Sequence, residues 1–299
     1  MQTILNQLFI GVSQASILLL IALGLTFTFG QMGVINMAHG ELIMAGAYTP
    51  YVLQAKISLF AGATGLAYLV ALPVGFVVAG AIGVLLEWLL LRRMYGRPLD
   101  TLLVTFGISL ILQQFAKDRF GAQPVDVKIP TWLGGNWKVL GVTMTHTRLF
   151  IIVLVVAVMI GVWLFQTKLR QGHRIRAVVQ NRDLASVSGL HTRRVDSTTF
   201  FLGSGLAGIA GVAIALVGSV GFNIGLNYIV DAFLVVIVGG LGKLRGAIIA
   251  ALALGIVGSY IEYATSATLG KAAVFALVIA FLQVRPNGIV SFRTRGLTS

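Results

Sequence analysis

Apolar runs long enough to cross a lipid bilayer recur along the whole chain and constrain its fold more than any other feature. A hydrocarbon core of about 30 Å takes about 20 helical residues. Hydrophobic residues make up 57% of the sequence and charged residues only 10%, against roughly 25% charged residues in a soluble domain. No run shows the sustained alternation of a lipid-facing β-strand. The sequence therefore predicts an all-α, polytopic transmembrane helical bundle.

We predict eight or nine membrane spans, some of them broken helices. The third would be about 50 Å long as one helix, at about 1.5 Å per residue. It is therefore either tilted and protruding, or broken near Pro73 and Gly75. The nine candidate spans lie near residues 5–29, 36–55, 59–91, 99–116, 149–167, 197–219, 229–241, 246–262 and 271–284.

Small residues recur at every fourth position within three of these spans. This spacing lets helix backbones approach closely in lipid. We therefore expect a tightly packed bundle. The three sets are Gly75, Ala79 and Gly83; Gly203, Ala207 and Gly211; and Ala247, Ala251 and Gly255.

Lysine and arginine cluster in three segments, and these segments orient the protein. They are residues 92–97, residues 168–194 and the tail, which carries Arg285, Arg293 and Arg295. The positive-inside rule places all three in the cytoplasm, and parity then places residues 117–148 outside. The sequence thus predicts an N-terminus outside and a C-terminus in the cytoplasm. The net charge of +13 is explained by these loops and does not indicate nucleic acid as a partner.

Several kinds of enzyme and metal site are excluded by residues that the chain lacks. It has no cysteine, so disulfides, thiolate metal sites and cysteine nucleophiles cannot form. His39 and Glu41 form an H-x-E motif, but the cysteine pair that would complete a zinc deaminase site is missing. No P-loop sequence occurs, so any ATP must be bound by partner subunits. We therefore predict a protein that is not an enzyme and holds neither a metal nor a cofactor of its own.

The stretch GQMGVINMAHGELIMAGAY places polar residues between two strongly apolar runs. Asn36, His39 and Glu41 lie within six positions, flanked by Gly33 and Gly40. Polar groups at membrane depth are costly unless they are paired or line a cavity, and discontinuous helices occur where a cavity receives them. We therefore predict that this segment lines a translocation pathway. Alternatively, or in addition, Asn36 caps the second span and Glu41 supports its first turn.

A second glycine-rich interruption, GGLGKLRGA at 239–247, has two interpretations. It is either a matching broken segment, with Gly239, Gly240 and Gly242 on the pathway, or a tight turn between helices at the membrane surface. The charge of Lys243 is typical of a short cytoplasmic loop. The sequence leaves the two alternatives open.

The basic loop at 168–196 carries a pattern associated with ATPase docking. Its sequence Asp183-x-Ala185-x-x-x-Gly189 resembles the acidic-x-Ala-x-x-x-Gly loop of ABC importer permeases. In that family a short cytoplasmic helix docks into a groove of the ATPase and transmits ATP-driven closure to the membrane helices. The resemblance implies that Asp183, Ala185 and Gly189 couple the chain to an ATPase.

Two further features of this loop bear on the coupling interpretation. Arg176 and Arg182 precede the motif, and we count them with the coupling residues. Leu184 stands where the short motif of that family has a second alanine, so the docking register differs in detail. As an alternative, the loop is an amphipathic segment that lies on anionic lipid.

Four stretches together resemble the permeases of the branched-chain amino-acid ABC importer family, in order and over nearly the whole chain. They are GVINMAHGELIMAGAY, LLVTFGISLILQQ, RAVVQNRDLASVSGL and VVIVGGLGKLRGAIIAALALGIV. Within that family, FGQMGVINMAHGELIMAGAYT and LEWLLLRRMYGRPLDTLLVTFGISLILQQ look most like the urea permeases. The resemblance implies a single permease domain over 1–299, with the coupling loop 168–196 within it, in the bacterial inner membrane. It also implies a second permease subunit, two ATPase subunits and an extracytoplasmic solute-binding protein as partners.

We predict urea as the substrate, with a branched-chain amino acid as the alternative for the same architecture. Urea is small and neutral, and its carbonyl and N–H groups match amide and carboxylate side chains. A zwitterionic leucine would need a charge pair and an apolar pocket, and the chain has no Lys or Arg before Lys56. Two other classes stay open: a passive urea or ammonia channel, which needs no coupling helix, and a structural membrane protein.

Overall fold

Helices account for most of the chain, as the apolar runs predict. The computed structural model describes residues 2–57, 60, 62–95, 97–139 and 142–290. Arg293 and Arg295 of the basic tail, and residue 59 at the start of the third predicted span, lie outside these ranges. The helices are α1 (Gln2–Met32), α2 (His39–Lys56), α3 (Thr64–Leu89), α4 (Pro98–Phe120), α5 (His146–Lys168), α6 (Arg170–Gln180), α7 (Arg182–Val187), α8 (Thr192–Ile214), α9 (Ile224–Gly239), α10 (Leu244–Ala264) and α11 (Ala267–Val284).

Each of the nine predicted spans corresponds to one of these helices. Within the described ranges, seven helices are long and apolar enough to cross a membrane: α1, α3, α4, α5, α8, α10 and α11. The other two are α2, with 18 residues, and the shorter α9, with 16. Helix α3 continues through Pro73 for 26 residues, so the alternative of a third span broken near Gly75 is wrong.

One end of the bundle, which we call the basic end, is formed by the connection between α3 and α4, by α6 and α7, and by the start of α8. Arg92, which follows α3 in a short 3-10 turn, donates a hydrogen bond to Ser197 of α8 at 2.9 Å. The ring of Tyr95 lies 5.6 Å from the guanidinium of Arg182, which begins α7. The segment after α11 reaches the same region, because the Ile289 amide bonds to the last turn of α9.

The opposite end, which we call the hairpin end, contains a short antiparallel pair of strands. These are β1 (Asn136–Val139) and β2 (Val142–Thr145), with Asn136 opposite Thr145. Helix α1 begins here, because Asn6 accepts a hydrogen bond from the Thr143 amide at 3.2 Å. The hairpin was not predicted, since strands of four residues give too short an alternation to stand out. Which end faces the cytoplasm stays a prediction from the charge distribution.

Helix α8 packs against three other helices through glycines. Gly208 lies against Gly75 of α3 and Gly46 of α2, and a Cβ atom on Gly208 would come within 2.8 Å of the Gly75 carbonyl carbon. Gly203 lies against Gly24 of α1, where a Cβ would come within 2.7 Å of the carbonyl oxygen. Two of the predicted small-residue stripes are therefore helix contacts, as expected for tight packing in lipid.

Candidate functional site

The stretch predicted to interrupt the helices contains a non-helical segment at 33–38, which separates α1 from α2. Gly33 has a φ of +63°, a conformation that glycine adopts without strain, and it ends α1. The segment is held by α4: the Met37 amide donates to the hydroxyl of Thr105 at 3.1 Å. Ala38 occupies the N-cap of α2 without a side-chain hydrogen bond. The alternative that Asn36 caps this helix is therefore wrong.

Glu41 lies in the first turn of α2, as expected, and is buried against α4. Its Oε1 accepts hydrogen bonds from the hydroxyl of Ser109 at 2.8 Å and from the amide of Gln113 at 2.9 Å. Ser109 lies near the middle of α4, so α2 begins halfway along a neighbouring helix of 23 residues. A broken helix that begins at this depth places its polar groups inside the bundle.

The polar side of α4 is the part of this site that the sequence analysis missed. Thr101, Thr105, Ser109 and Gln113 are all buried and recur at intervals of four residues. Residues at this spacing share one helix face, so a polar stripe faces the broken segment while the other faces of α4 carry exposed apolar side chains such as Phe115. The spacing of these four residues within an apolar run was the signal available in the sequence.

Several polar atoms at this site have no hydrogen-bond partner among the described residues. They are both amide atoms of Asn36, both ring nitrogens of His39 and Oε2 of Glu41, in three side chains exposed by no more than 1%. An unsatisfied buried polar group costs about 1–3 kcal/mol. We call these three residues with Ser109 and Gln113 the polar core. Its unused donors and acceptors suit water or a polar solute.

The first turns of α2 and α9 meet beside the polar core. Gly40 and Gly225 are in backbone contact, and a Cβ atom on either residue would collide with the backbone of the other. The positive ends of two helix dipoles therefore converge inside the bundle. The non-helical segment that precedes α9 is residues 215–223, which include Gly218 and Gly221.

Gly239, Gly240 and Gly242 lie apart from this meeting point, in the turn between α9 and α10. Gly240 and Gly242 have φ angles of +97° and +74°. Gly242 contacts Gly30 near the end of α1, which places the turn at the opposite end of α9 from Gly225. Its geometry is that of the tight interhelical turn, the second of the two alternatives. The contribution of these glycines to a pathway stays a prediction.

Helices α6 and α7 pack onto the start of α8 around a small apolar core at the basic end. Ile175, Val178, Ala185 and Val195 are buried together in it. Ala185, one of the predicted coupling residues, therefore faces inward and holds α7 in place. The exposed side of α7 instead carries Leu184 and Val187, which are 62% and 82% exposed. This pair forms an apolar protrusion on the basic end.

The other predicted coupling residues lie around α7 in different roles. Arg176 and Asp183 are exposed to solvent. Arg182 forms a bidentate ion pair with the buried Asp196 of α8, with one nitrogen–oxygen distance of 3.1 Å. Gly189, at a φ of +83°, ends α7: its amide and that of the next residue donate to the last turn of the helix at 3.0 Å. This pair of hydrogen bonds forms the Schellman motif, which favours glycine at this position.

A buried carboxylate joins α3 to the start of α8. Glu87 is fully buried and accepts two hydrogen bonds from Arg92 at 3.1 Å, one from Tyr95 at 2.8 Å and one from Ser197 at 2.8 Å. Burial and the neighbouring Glu87 carboxylate raise the pKa of Tyr95, so its phenol stays a donor. The stacking of Tyr95 on Arg182 extends this network to α7.

Replacing Glu41 with leucine is expected to destabilise the contact between α2 and α4. The substitution leaves the buried donors of Ser109 and Gln113 without their acceptor, which lowers the free energy of unfolding by about 2 kcal/mol or more. The thermal unfolding midpoint of the purified Glu41→Leu protein should be lowered by several degrees. The midpoint of Glu41→Gln, which keeps an acceptor, should stay close to that of the parent. A triple variant with Ser109→Ala and Gln113→Leu added should recover part of the loss. An unchanged midpoint in Glu41→Leu would contradict the pairing.

Three comparisons relate the chain to known proteins. Residues 7–282 match a family model described as the permease component of the branched-chain amino acid transport system. The chain is 32% identical over 294 residues to the high-affinity branched-chain amino acid transport system permease protein LivH of Escherichia coli strain K12, covering 96% of this chain and 95% of that protein. It is 29% identical over 295 residues to the permease protein BraD of the corresponding high-affinity system of Pseudomonas aeruginosa, with the same coverage. A solved structure of PsaBC from Streptococcus pneumoniae in complex with Fab is similar over 94% of each chain, with a TM-score of 0.43 and 15% identity.

Proposed function

The chain belongs to the family of branched-chain amino acid transport permeases, and we propose that it imports a branched-chain amino acid as the membrane-spanning subunit of an ATP-driven transporter. The reported relatives are transport permease components, so the prediction that the chain is not an enzyme is confirmed. Its seven long apolar helices and these relatives make it a multi-pass inner-membrane protein.

The observation that carries a transport function is the meeting of α2 and α9 beside the polar core. Broken helices whose first turns converge inside a bundle are typical of transporters, which bind solute where backbone and polar groups are exposed to a cavity. Gly40 and Gly225 bring the two helix ends into contact, and Asn36 and His39 supply unpaired polar atoms beside them. We infer that this region forms part of the translocation pathway.

The preference for urea over an amino acid is not supported. The relatives reported above are named for branched-chain amino acids, and the alternative of an amino-acid permease fits them better. Urea was favoured because no Lys or Arg lies before Lys56. Later helices, however, bring Arg148 and Lys271 to a cavity inside the bundle.

We propose that α7 docks onto an ATPase subunit through its exposed face. The Leu184 and Val187 side chains would enter an apolar groove of the ATPase, in a helix-in-groove contact. Because Arg182 pairs with Asp196 and Ala185 packs against α8, a displacement of α7 would move α8 with it. The remaining partners, a second permease subunit and an extracytoplasmic solute-binding protein, are part of the same proposal.

Gly189→Arg is expected to abolish ATP-linked uptake while leaving the protein folded. A side chain at Gly189 would have no neighbour within 4 Å, so the arginine would project into open space, and its cost to folding is the backbone strain of the left-handed conformation, about 1–2 kcal/mol. Gly189→Asn is the matched control, since asparagine tolerates the left-handed conformation of this position. ATP-linked uptake by membrane vesicles tests the loss of transport in each variant. Thermal unfolding tests whether each variant stays folded. Undiminished ATP-linked uptake by Gly189→Arg would show that α7 does not dock.

The proposed function is tested by uptake of labelled leucine and labelled urea in cells that express this chain with its neighbouring transporter genes. We expect leucine uptake that stops when ATP is depleted, with urea uptake at background. Urea uptake without leucine uptake would restore the urea assignment. Flux that survives ATP depletion would make the protein a channel and remove the coupling role of α7.

A further inference from the structure

A large cavity with charged walls opens between α1, α9, α10 and α11, towards the hairpin end. Its volume is about 580 Å³, within the range of about 300–1,000 Å³ typical of small-molecule sites. Arg148 in the first turn of α5 and Glu262 in the last turn of α10 contribute to its walls. Ile224 also lines it and immediately precedes Gly225, so the cavity reaches the meeting point of α2 and α9.

The charges in this cavity balance, but they are not fully paired with each other. Two cations, Arg148 and Lys271, face two carboxylates, Asp231 and Glu262. Lys271 and Asp231 approach to only 3.9 Å, and Glu262 accepts a hydrogen bond from Gln14 at 3.3 Å. Among the described residues Arg148 has neither an ion-pair partner nor a side-chain hydrogen bond, although its side chain is half-buried. A guanidinium in this state is available to a carboxylate ligand.

Apolar side chains form the remaining walls. Ile17, Leu18, Leu234 and Leu254 belong to three helices and lie among the charged groups. The cavity thus combines an unpaired cation, a carboxylate and an apolar surface. A neutral solute such as urea can accept a hydrogen bond from the cation but brings no charge to compensate it, whereas a zwitterion with an aliphatic side chain matches all three.

We propose that this cavity receives the zwitterionic amino acid, with Arg148 binding its α-carboxylate, Asp231 binding its α-ammonium and the apolar walls receiving its side chain. The proposal rests on the proposed function and deepens it, because it assigns the specificity for an amino acid to named residues of the permease. Lys271 acts as the alternative partner of Asp231 when the cavity is empty, which keeps the half-buried carboxylate paired in both states.

The absence of cysteine from the chain allows a direct test. Asn227 is exposed and lines the cavity, so Asn227→Cys in the assembled transporter gives one thiol of this chain to label with a maleimide. Leucine should slow the labelling by about tenfold at about ten times its dissociation constant, whereas urea should not. Gln123→Cys, in an exposed loop outside the cavity, is the control that neither solute should protect.

Charge variants of the Asn227→Cys transporter identify the ligands. Arg148→Gln should raise the leucine concentration for half-protection by about tenfold or more, because a charge-assisted hydrogen bond is lost. Arg148→Lys should recover part of that loss, Asp231→Asn should show a comparable increase, and Lys128→Gln, an exposed cation outside the cavity, should have no effect.

The remaining outcomes of these experiments distinguish a failure of the cavity assignment from a failure of the proposed import function. Protection that is equal in Arg148→Gln and its parent overturns the assignment of Arg148. No protection by leucine in a transporter that imports leucine overturns the cavity as the amino-acid site and leaves the proposed function standing. A transporter that does not import leucine at all overturns the proposed function itself.

Discussion

Gly208→Leu is expected to prevent the protein from folding, whereas Gly161→Leu is expected to leave it intact. A Cβ atom at Gly208 would lie 2.7 Å from the Cβ of Ala79 and 2.8 Å from the carbonyl carbon of Gly75. Overpacking of a core usually costs about 1–3 kcal/mol, and here the collision is with backbone of α3, which cannot move aside as a side chain can. Gly46 of α2 also packs onto Gly208, so two helix contacts would be lost together.

Gly161 is a matched control, because it is also a helical glycine but has no atom within 4 Å of a Cβ position. Replacing a glycine inside a helix with leucine should even favour the helix, by about 0.5–1 kcal/mol. Size-exclusion profiles and thermal unfolding of the two variants, solubilised in the same detergent, would compare them. A monodisperse Gly208→Leu protein with an unfolding midpoint near that of the parent would contradict the packing of α8 against α2 and α3.

The positions of the membrane helices along the chain could be predicted from the sequence because each signal is local. An apolar run of about 20 residues predicts a span by itself, and glycines four positions apart predict a close contact by themselves. Neither signal says which helices meet, so the pairing of Gly208 with Gly75 was not predicted. The hairpin was also missed, and the sequence left open whether α3 continues through Pro73, since neighbouring helices can accommodate a proline in a membrane span.

The candidate site could be predicted only where polarity interrupts an apolar run. Asn36, His39 and Glu41 stand out in this way, and their roles in a pathway remain predictions. The polar stripe of α4 was missed because three of its four residues are threonine or serine, which lower the hydropathy of a helix only slightly. The charged cavity could not be predicted from local patterns, since Arg148 and Asp231 are far apart in the chain and line the same cavity only in the folded protein.

Arg92→Leu is expected to destabilise the basic end and to separate ATP hydrolysis from import. The substitution removes two of the four hydrogen bonds to Glu87, whose side chain is fully buried. Breaking a buried ion pair by removing one partner typically costs about 3–5 kcal/mol, because the other charge is left uncompensated. Arg93→Leu is the matched control: Arg93 is the next residue and is exposed, and among the described residues its side chain donates only to the Leu89 carbonyl, so its loss should change stability little.

The same substitution tests the route by which α7 would act on the membrane helices. Glu87 contacts Ser197 at the start of α8, and Tyr95 connects Glu87 to Arg182 of α7. The double variant Glu87→Leu with Arg92→Leu should recover much of the stability, since two apolar side chains replace the ion pair. If the network also transmits motion, the double variant should hydrolyse ATP without restoring import. If import returns together with stability, the network only holds the fold, and the Arg182–Asp196 ion pair and the packing of Ala185 against α8 are left as the links between α7 and α8.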